Sequence, residues 1–113
     1  MRPVTIVYVT DMDASLEFYR KLLPQADVIS QSPYWSELAL EGASIALHIT
    51  ERVEPGSQLG LALTADTPLE AIADRLASVG IPLDRDIADE AFGRSMIIRD
   101  LDGLGIQINE HAA

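Results

Sequence analysis

The sequence contains no cysteine, so it can form neither a disulfide bond nor a thiolate nucleophile or metal ligand. It also lacks the run of about 18 apolar residues that a membrane-spanning helix requires. The opening apolar stretch is too short for a signal sequence and is interrupted by Asp11. From these absences we expect a soluble protein of the reducing cytoplasm, with no membrane as partner.

Basic residues are also scarce, with 8 Lys and Arg against 18 Asp and Glu, which gives a net charge of −10. No stretch collects the basic residues into a stripe, and a polyanion would be repelled, so nucleic acid is excluded as the expected partner. A diffuse negative field favours cationic small molecules, although it also serves simply to keep a protein soluble.

Aromatic residues make up only 5% of the chain: one Trp, three Tyr and two Phe. We interpret Phe18 and Phe92 as packing residues. Nucleophilic catalysis by serine has no support, because no serine lies in a Gly-x-Ser-x-Gly elbow and only two histidines could act as a base. The acid pairs Asp84/Asp86 and Asp89/Glu90 fall in a polar stretch and predict a solvated rim.

What the sequence does contain is a repeat. The segment Leu40–Leu47 reappears as Leu101–Ile108, with aliphatic, acidic and glycine residues in the same order. Two repeats are predicted, residues 1–50 and 58–113, and chance similarity between two amphipathic units is the alternative. With 113 residues and 48% apolar composition, the chain fits one domain with one core.

The first repeat predicts a strand, a helix and three strands. Val4–Val9 is rich in β-branched residues and predicts a strand buried on both faces. Asp11 or Asp13 can cap a helix that Pro24 must end. The apolar stripe of this helix is Met12, Leu16, Tyr19 and Leu23. The following strands are predicted at Val28–Ser30, Tyr34–Leu40 and Ala43–Ile49, with a tight turn at Glu41-Gly42.

The second repeat follows a polar connector, residues 51–57, and predicts the same order of elements. A strand at Leu59–Ala65 leads to Thr67–Glu70, which is typical of a capping box with Pro68 at the first helical position. The helix should present Leu69, Ile72, Leu76 and Val79 and end before Gly80 and Pro82. A short edge strand within Asp84–Glu90 and strands at Ser95–Arg99 and Leu104–Asn109 complete the prediction, with His111 in a frayed, solvated terminus.

Two motifs resemble a known family. Val9–Tyr19, with Phe-Tyr near the helix end, is similar to the opening signature of the vicinal oxygen chelate superfamily, which includes glyoxalase I, bleomycin resistance proteins and extradiol dioxygenases. Asp100–Gly103 resembles the Asp-Pro-Asp-Gly hairpin of that group, with Leu101 where proline is usual.

The resemblance implies an α+β fold of tandem βαβββ modules that form an open, curved eight-stranded mixed sheet, with helices on the convex face and a ligand cup on the concave face. It implies a single domain over residues 1–113 and a homodimer, which would also cover exposed sheet edges. Whether the modules pair within one chain or are exchanged between two chains stays open.

The resemblance also implies four metal-ligand positions, which fall at Val4, Ala46, Gly60 and Gln107. Three of these residues cannot bind a metal, so we expect no metal and no other cofactor. The alternative is a ligand set shifted along the strands to His48, Gln107 and Asn109, with Glu37 as a further candidate. It would make the chain a divalent-metal-dependent lyase, isomerase or dioxygenase.

Without a metal, the chain is most similar to the antibiotic-sequestering members, which bind a small molecule without transforming it. We therefore expect a metal-independent binding protein rather than an enzyme, with a small organic ligand, either an antibiotic or a cationic metabolite. A scaffold with a filled cup is a third hypothesis. Only one of Tyr34 and Trp35 can face the cup, and Trp35 serves equally well in a pocket, a core or an interface. The candidate ligand-binding residues are Tyr8, Trp35, Glu37, His48, Gln107 and Asn109.

Overall fold

A computed structural model describes residues 2–53, 59–91 and 93–111. The chain divides into two compact units, Met1–Pro55 and Gly56–Ala113. Within the described residues, neither helix is long and apolar enough to span a membrane.

The first unit has the predicted order of one strand, one helix and three strands. Its elements are β1 (Val4–Val9), α1 (Met12–Leu22), β2 (Asp27–Gln31), β3 (Trp35–Leu40) and β4 (Ala43–Ile49). They form an open four-stranded sheet in the order β1-β4-β3-β2. β1 runs parallel to β4, and the other neighbouring strands are antiparallel.

Helix α1 begins and ends where local chemistry requires. Asp11 is the N-cap, and its Oδ1 accepts a hydrogen bond of 3.1 Å from the Ala14 N–H, which satisfies one free backbone donor of the first turn. Of the two aspartates left open by the sequence, Asp11 is therefore the cap. The last turn closes with the Leu23 N–H donating to the Tyr19 carbonyl at 2.8 Å, just before Pro24. The predicted stripe of Met12, Leu16, Tyr19 and Leu23 is buried, as is Phe18.

Helix α1 packs against only one of the two faces of this sheet. Helix α1 contacts β3 and β4, and the face on that side buries Val7, Val9, Leu38, Ile45 and Leu47. The prediction that β1 is buried on both faces is wrong, because Val4, Ile6 and Tyr8 on the opposite face are 42%, 47% and 55% exposed. A run of β-branched residues indicates a strand, but it does not show how many of its faces are covered.

The β3–β4 turn follows the prediction. Leu40 pairs with Ala43, so Glu41 and Gly42 form a two-residue connection. Gly42 has φ +79°, a left-handed conformation that glycine adopts without steric cost. This turn fixes which residues of β3 and β4 lie opposite each other.

The second unit repeats the same topology. Its elements are β5 (Leu59–Thr64), α2 (Leu69–Ser78), β6 (Arg85–Glu90), β7 (Gly93–Arg99) and β8 (Gly105–His111). The sheet order is β5-β8-β7-β6, with β5 parallel to β8 and the other pairs antiparallel. The described residues therefore confirm the α+β class and the two βαβββ modules. The predicted edge strand within Asp84–Glu90 is β6.

Helix α2 does not start with the predicted capping box. Pro68 is the N-cap residue rather than the first helical residue, and no side chain of the cap hydrogen bonds to the helix. The N–H of Leu69 instead donates at 3.0 Å to Oε2 of Glu110, which reaches the helix from β8. Glu70, the acid that the box needs, binds Arg94. The prediction failed because contacts distant in sequence replace the local ones: Glu110 binds the first N–H of the helix, and Arg94 binds Glu70.

The β7–β8 loop depends on the aspartate of the second motif. Oδ1 of the buried Asp100 accepts hydrogen bonds of 2.9 Å from the N–H groups of Asp102 and Leu104. Gly103 has φ +86°. Strand β8 runs through His111, so the backbone there is not the predicted frayed terminus. Phe92 and residues 54–57 of the predicted connector lie outside the described residues.

Candidate functional site

Three aromatic side chains lie side by side on the face of the first sheet opposite α1. Tyr8 of β1 pairs with His48 of β4, which pairs in turn with Trp35 of β3. The Tyr8 and His48 ring centroids are 5.2 Å apart at an interplanar angle of 55°, and those of Trp35 and His48 are 5.9 Å apart at 77°. We call Tyr8, His48 and Trp35 the ring row. Its distances and angles are those of tilted and edge-to-face aromatic contacts.

The structure resolves which neighbour on β3 faces this surface. Trp35 is the first residue of β3 and lies opposite His48. Tyr34 lies before the strand and is 72% exposed. Oγ of Ser32 accepts hydrogen bonds from the N–H groups of Tyr34 and Trp35 at 3.2 and 3.1 Å, which holds the chain at the point where β3 begins.

His48 has a fixed orientation. Its Nδ1 lies 2.8 Å from the carbonyl oxygen of Ile49. Because a carbonyl oxygen can only accept, Nδ1 carries the hydrogen, and Nε2 of the uncharged ring keeps its lone pair. The side chain is exposed, so Nε2 is an accessible hydrogen-bond acceptor in the centre of the ring row.

Glu37 lies on the same face. It pairs with Ala46, two residues from Trp35 along β3, so its Cα lies about 7 Å from that of Trp35. The side chain is partly buried, and it has no hydrogen-bond or ion-pair partner within residues 2–53, 59–91 and 93–111. The ring row therefore has one unpaired carboxylate beside it.

Gln107 and Asn109, the remaining candidates, lie in the second unit. The Gln107 Nε2 donates to the Asn109 Oδ1 at 2.7 Å. Asn109 pairs with Thr64 on one side and Ser95 on the other, so the strand positions that hold rings in the first unit hold three polar residues here. The structure thus brings Tyr8, Trp35, His48 and Glu37 together, and separately Gln107 and Asn109.

The implied metal positions do not fit a metal ion. Val4 and Ala46 have aliphatic side chains, and Ala46 is fully buried between Ile6 and Glu37. A Cβ at Gly60 would lie 2.6 Å from Cδ1 of Leu104, so that side chain fills the space a ligand would need. Among the described residues, no cluster of three or more His, Asp or Glu side chains could hold a metal. A metal site normally needs three or four such donors.

Two grooves lie beside α1, and neither is lined by an aromatic side chain. One, of about 330 Å³, is lined by Asp13, Leu16, Glu17, Arg20, Lys21 and Gln31. The other, of about 710 Å³, lies at the start of the helix. Asp11 lines the second groove, but its carboxylate already caps α1. Neither groove is lined by a residue of the ring row.

Sequence reasoning missed two polar networks. On β6 and β7, the Ser95 Oγ accepts from Arg85 at 2.6 Å and donates to Glu90 at 3.1 Å. A second network joins Arg94 to Glu70 and Glu110. Both depend on strand pairing that brings together residues distant in sequence, and charge spacing along the chain gave no signal for either.

The family model described as the Glyoxalase/Bleomycin resistance protein/Dioxygenase superfamily matches residues 3–108. No curated protein matches the sequence significantly.

Solved structures match nearly the whole chain. A protein of Agrobacterium tumefaciens, solved by NMR, has a TM-score of 0.84 at 24% identity, with 100% of this chain and 99% of that chain covered. Lactoylglutathione lyase from the same species has a TM-score of 0.79 at 19% identity, covering 97% and 92%. TnmS3, an antibiotic-binding protein from Streptomyces sp. CB03234, has a TM-score of 0.74 at 25% identity, covering 99% and 98%. The first two likenesses establish the shared fold alone.

Proposed function

Because this chain belongs to the Glyoxalase/Bleomycin resistance protein/Dioxygenase superfamily, we propose that it is a metal-independent protein that binds a small organic molecule on the ring row. The observation that carries the proposal is the contact of Tyr8, His48 and Trp35 across three adjacent strands. We infer the role of these residues from their geometry, because the fold by itself does not assign a function.

The ring row can contact a flat ligand through both ring faces and ring edges, because neighbouring rings are inclined at 55° and 77°. Tyr8 and His48 are exposed, and Trp35 is partly exposed. Aromatic contacts add about 0.5–1.5 kcal/mol each beyond the burial of apolar area. A planar molecule that covers the row would gain several such contacts and remove apolar surface from water.

The charges nearby favour a cation. Glu37 is an unpaired acid on the same face, and the aromatic rings attract a cation placed over them. The net charge of −10 adds a long-range attraction for the same class of ligand. A planar organic cation therefore matches the surface, and the likeness to an antibiotic-binding protein at 25% identity supports a small-molecule ligand of the antibiotic type.

The single tryptophan is Trp35, so ligand binding at the ring row can be followed by intrinsic fluorescence. We expect planar organic cations to quench Trp35 with dissociation constants below 1 mM. Equilibrium dialysis with the same compounds checks the stoichiometry. Replacement of Tyr8 by leucine should weaken binding about tenfold, the loss of roughly one aromatic contact.

Tyr34→Leu is the matched control, since Tyr34 is exposed and outside the ring row. It should leave binding unchanged. Equal loss in both variants would contradict the ring row as the site. A compound panel with no ligand tighter than millimolar would contradict the binding function itself.

The metal-dependent alternative has a separate test. Protein purified without chelator should contain well below one divalent ion per chain by elemental analysis. Stoichiometric zinc, nickel, manganese or iron bound by protein side chains would contradict this proposal and favour a lyase, isomerase or dioxygenase.

Gln107 and Asn109 remain predicted ligand contacts, which Gln107→Ala and Asn109→Ala would test in the same fluorescence assay.

The proposal includes a cytoplasmic homodimer of single-domain chains. Exposed apolar residues such as Ile29 and Leu101 offer surface that a second chain could cover. Light scattering on the purified protein should give twice the chain mass of 12.3 kDa. A monomer at micromolar concentration would contradict the dimer without affecting the binding function.

A further inference from the structure

We infer that Ser32 is a positioning residue of the ring row: its hydroxyl group fixes the backbone of Trp35, so that the indole lies beside His48 before a ligand binds. This role rests on the proposed binding function and gives a residue outside the ring row a share of the affinity. Two features indicate it, the hydrogen bonds at the start of β3 and the direction in which the backbone groups of Trp35 point.

The hydroxyl group of Ser32 uses all of its hydrogen-bonding capacity on the two residues that lead into β3. Its oxygen accepts from the N–H groups of Tyr34 and Trp35 at 3.2 and 3.1 Å. Its hydrogen is donated to the Trp35 carbonyl oxygen at 3.1 Å. A hydroxyl group has one donor and two acceptor positions, so all three are occupied. Both polar backbone groups of Trp35 are therefore bound to one side chain.

The backbone groups of Trp35 point away from β4, the strand that carries His48. The Ile49 N–H of β4 donates to the Tyr34 carbonyl oxygen at 3.0 Å. In an antiparallel pair the backbone groups of successive residues point to opposite sides, so those of Trp35 point toward β2. Trp35 and His48 thus form a pair without backbone hydrogen bonds, the kind in which side chains lie closest together.

On the side to which these groups point, β2 has already ended. Its last residue, Gln31, pairs with Ser36, so Ser32 stands opposite Trp35 one position beyond the strand. The Ser32 N–H donates to the Trp35 carbonyl oxygen at 2.9 Å, as in a regular strand pair, whereas the Trp35 N–H is bound by the Ser32 hydroxyl group. The hydroxyl group therefore takes the place of the backbone carbonyl that would accept in a regular pair.

The turn between Ser32 and Trp35 supplies little other restraint. It consists of Pro33 and Tyr34, and both are exposed. Pro33 has no N–H with which to anchor the turn. Because neither residue of the turn is buried in the core, loss of the Ser32 hydroxyl group should leave the first residue of β3 poorly held.

Motion of Trp35 would lower the affinity without removing any ring. A ligand that needs Trp35 beside His48 binds only the molecules in which the indole lies there, so the apparent dissociation constant rises as that fraction falls. Loss of one or two hydrogen bonds changes such an equilibrium by about three- to tenfold, and we expect Ser32→Ala to weaken binding to this extent. Ser32→Thr keeps a hydroxyl group and should bind within about twofold of the unmodified protein.

The probe is 10-methylacridinium, a planar organic cation with a permanent charge and no N–H group. Quenching of Trp35 at pH 7 gives its dissociation constant for the unmodified protein, Ser32→Ala and Ser32→Thr. Ser78→Ala is the matched control, because Ser78 is also exposed and its hydroxyl group also donates to a carbonyl oxygen three residues away, that of Arg75 at 2.6 Å. This control should leave the dissociation constant unchanged.

A second readout needs no ligand. Trp35 is the single tryptophan, so the time-resolved fluorescence anisotropy of the free protein reports the motion of its indole. Ser32→Ala should show a larger fast component than the unmodified protein, and Ser32→Thr and Ser78→Ala should not. Urea unfolding followed by circular dichroism shows that each variant is folded. A purely stabilising role of Ser32 would lower the unfolding midpoint and leave the anisotropy of the folded protein unchanged.

The outcomes separate the role of Ser32 from the binding function. Unchanged anisotropy in Ser32→Ala, unchanged affinity in Ser32→Ala, or an equal loss of affinity in Ser32→Ala and Ser32→Thr would each overturn the role of Ser32 and leave the binding function standing. If 10-methylacridinium does not quench Trp35 in the unmodified protein, the proposed cationic ligand loses its support. The anisotropy then still decides whether Ser32 positions Trp35.

Discussion

Fully buried serines in the two sheets differ in what their hydroxyl groups contact. Ser36 of β3 and Ser95 of β7 are both 0% exposed. The Oγ of Ser36 has no hydrogen-bond partner in the part of the chain that the structure describes. The Oγ of Ser95 binds both Arg85 and Glu90. Similar burial therefore coexists with opposite hydrogen-bonding states, and the two residues should respond differently to the same substitution.

We expect Ser36→Ala to leave the free energy of unfolding unchanged or to raise it by about 1 kcal/mol, because a buried hydroxyl without a partner costs stability. Ser95→Ala should lower it by about 1–3 kcal/mol, since Arg85 and Glu90 lose their shared partner. Urea unfolding of both variants tests the pair. A larger loss in Ser36→Ala than in Ser95→Ala would contradict the assignment.

Single residues of the site could be predicted only in part. Because residues two apart in a strand share a face, Trp35 and Glu37 lie on one face of β3, and Val4, Ile6 and Tyr8 lie on one face of β1. This alternation could not decide between Trp35 and Tyr34, because that depends on where β3 begins, which Ser32 fixes through two backbone hydrogen bonds. The approach of Tyr8 and Trp35 to His48 depends on strand pairing, which alternation does not report.

At the scale of elements, the two helices start by different means. Asp11 caps α1 from the adjacent position in the chain, and the sequence contained that signal. Glu110 binds the first N–H of α2 from β8, 41 residues away, and no local motif indicates it. Elements specified by nearby residues were predicted with bounds close to those observed. The start of α2 was not, because a contact distant in sequence replaced the local cap.

The cap of α1 gives a direct prediction. Asp11→Ala should lower the free energy of unfolding by about 1 kcal/mol, the usual cost of losing an N-cap acceptor. Asp13→Ala is the control, since Asp13 lies in the first turn without being the cap. It should cost only a few tenths of a kcal/mol from the helix dipole. Equal losses in urea unfolding would contradict Asp11 as the cap.

The stability that Glu70 and Glu110 confer at the start of α2 should depend on pH. Hydrogen bonds from Arg94 lower the pKa of Glu70 from 4.5 to about 2. The Leu69 N–H, followed by Arg94, lowers the pKa of Glu110. Because both pKa values are lower in the folded state, the stability they confer is present above about pH 4.5 and is lost as the pH falls toward 2.

Arg94→Met should therefore reduce the dependence of the unfolding free energy on pH between about 4.5 and 2. Lys21→Met is the control, because the exposed ion pair of Lys21 with Glu17 at 3.4 Å should contribute little. Urea titrations at several pH values provide the measurement. An unchanged slope in Arg94→Met would show that Arg94 does not set these carboxylate pKa values.

On the scale of the whole molecule, two units share one topology but differ in the chemistry of corresponding strand positions. The first sheet places Tyr8, His48 and Trp35 in one row, and the second places Thr64, Asn109 and Ser95 in the matching row. Hydrophobic and turn patterns preserved the topology, which is why the fold was predictable from sequence. The topology does not constrain the side chains at these row positions, so it did not indicate which of the two units holds the rings.

We propose that the two units unfold together as one domain. A unit of about 55 residues buries only about 60% of the surface of its unfolded chain, which makes independent stability marginal. Fluorescence of Trp35 reports on the first unit, and far-ultraviolet circular dichroism reports on both helices. The two signals should follow a single urea transition. Separate midpoints would indicate two independently stable domains.

The turn at Gly42 has a consequence for how this protein can vary. It sets the register that places Trp35 opposite His48, although it lies about seven residues, or roughly 20 Å, along the strand from that contact. Insertions and deletions in a surface hairpin are usually among the best-tolerated changes in a gene. Here, a change at the turn that shifted the pairing of β3 with β4 by one residue would move Trp35 to the opposite face of the sheet, away from Tyr8 and His48.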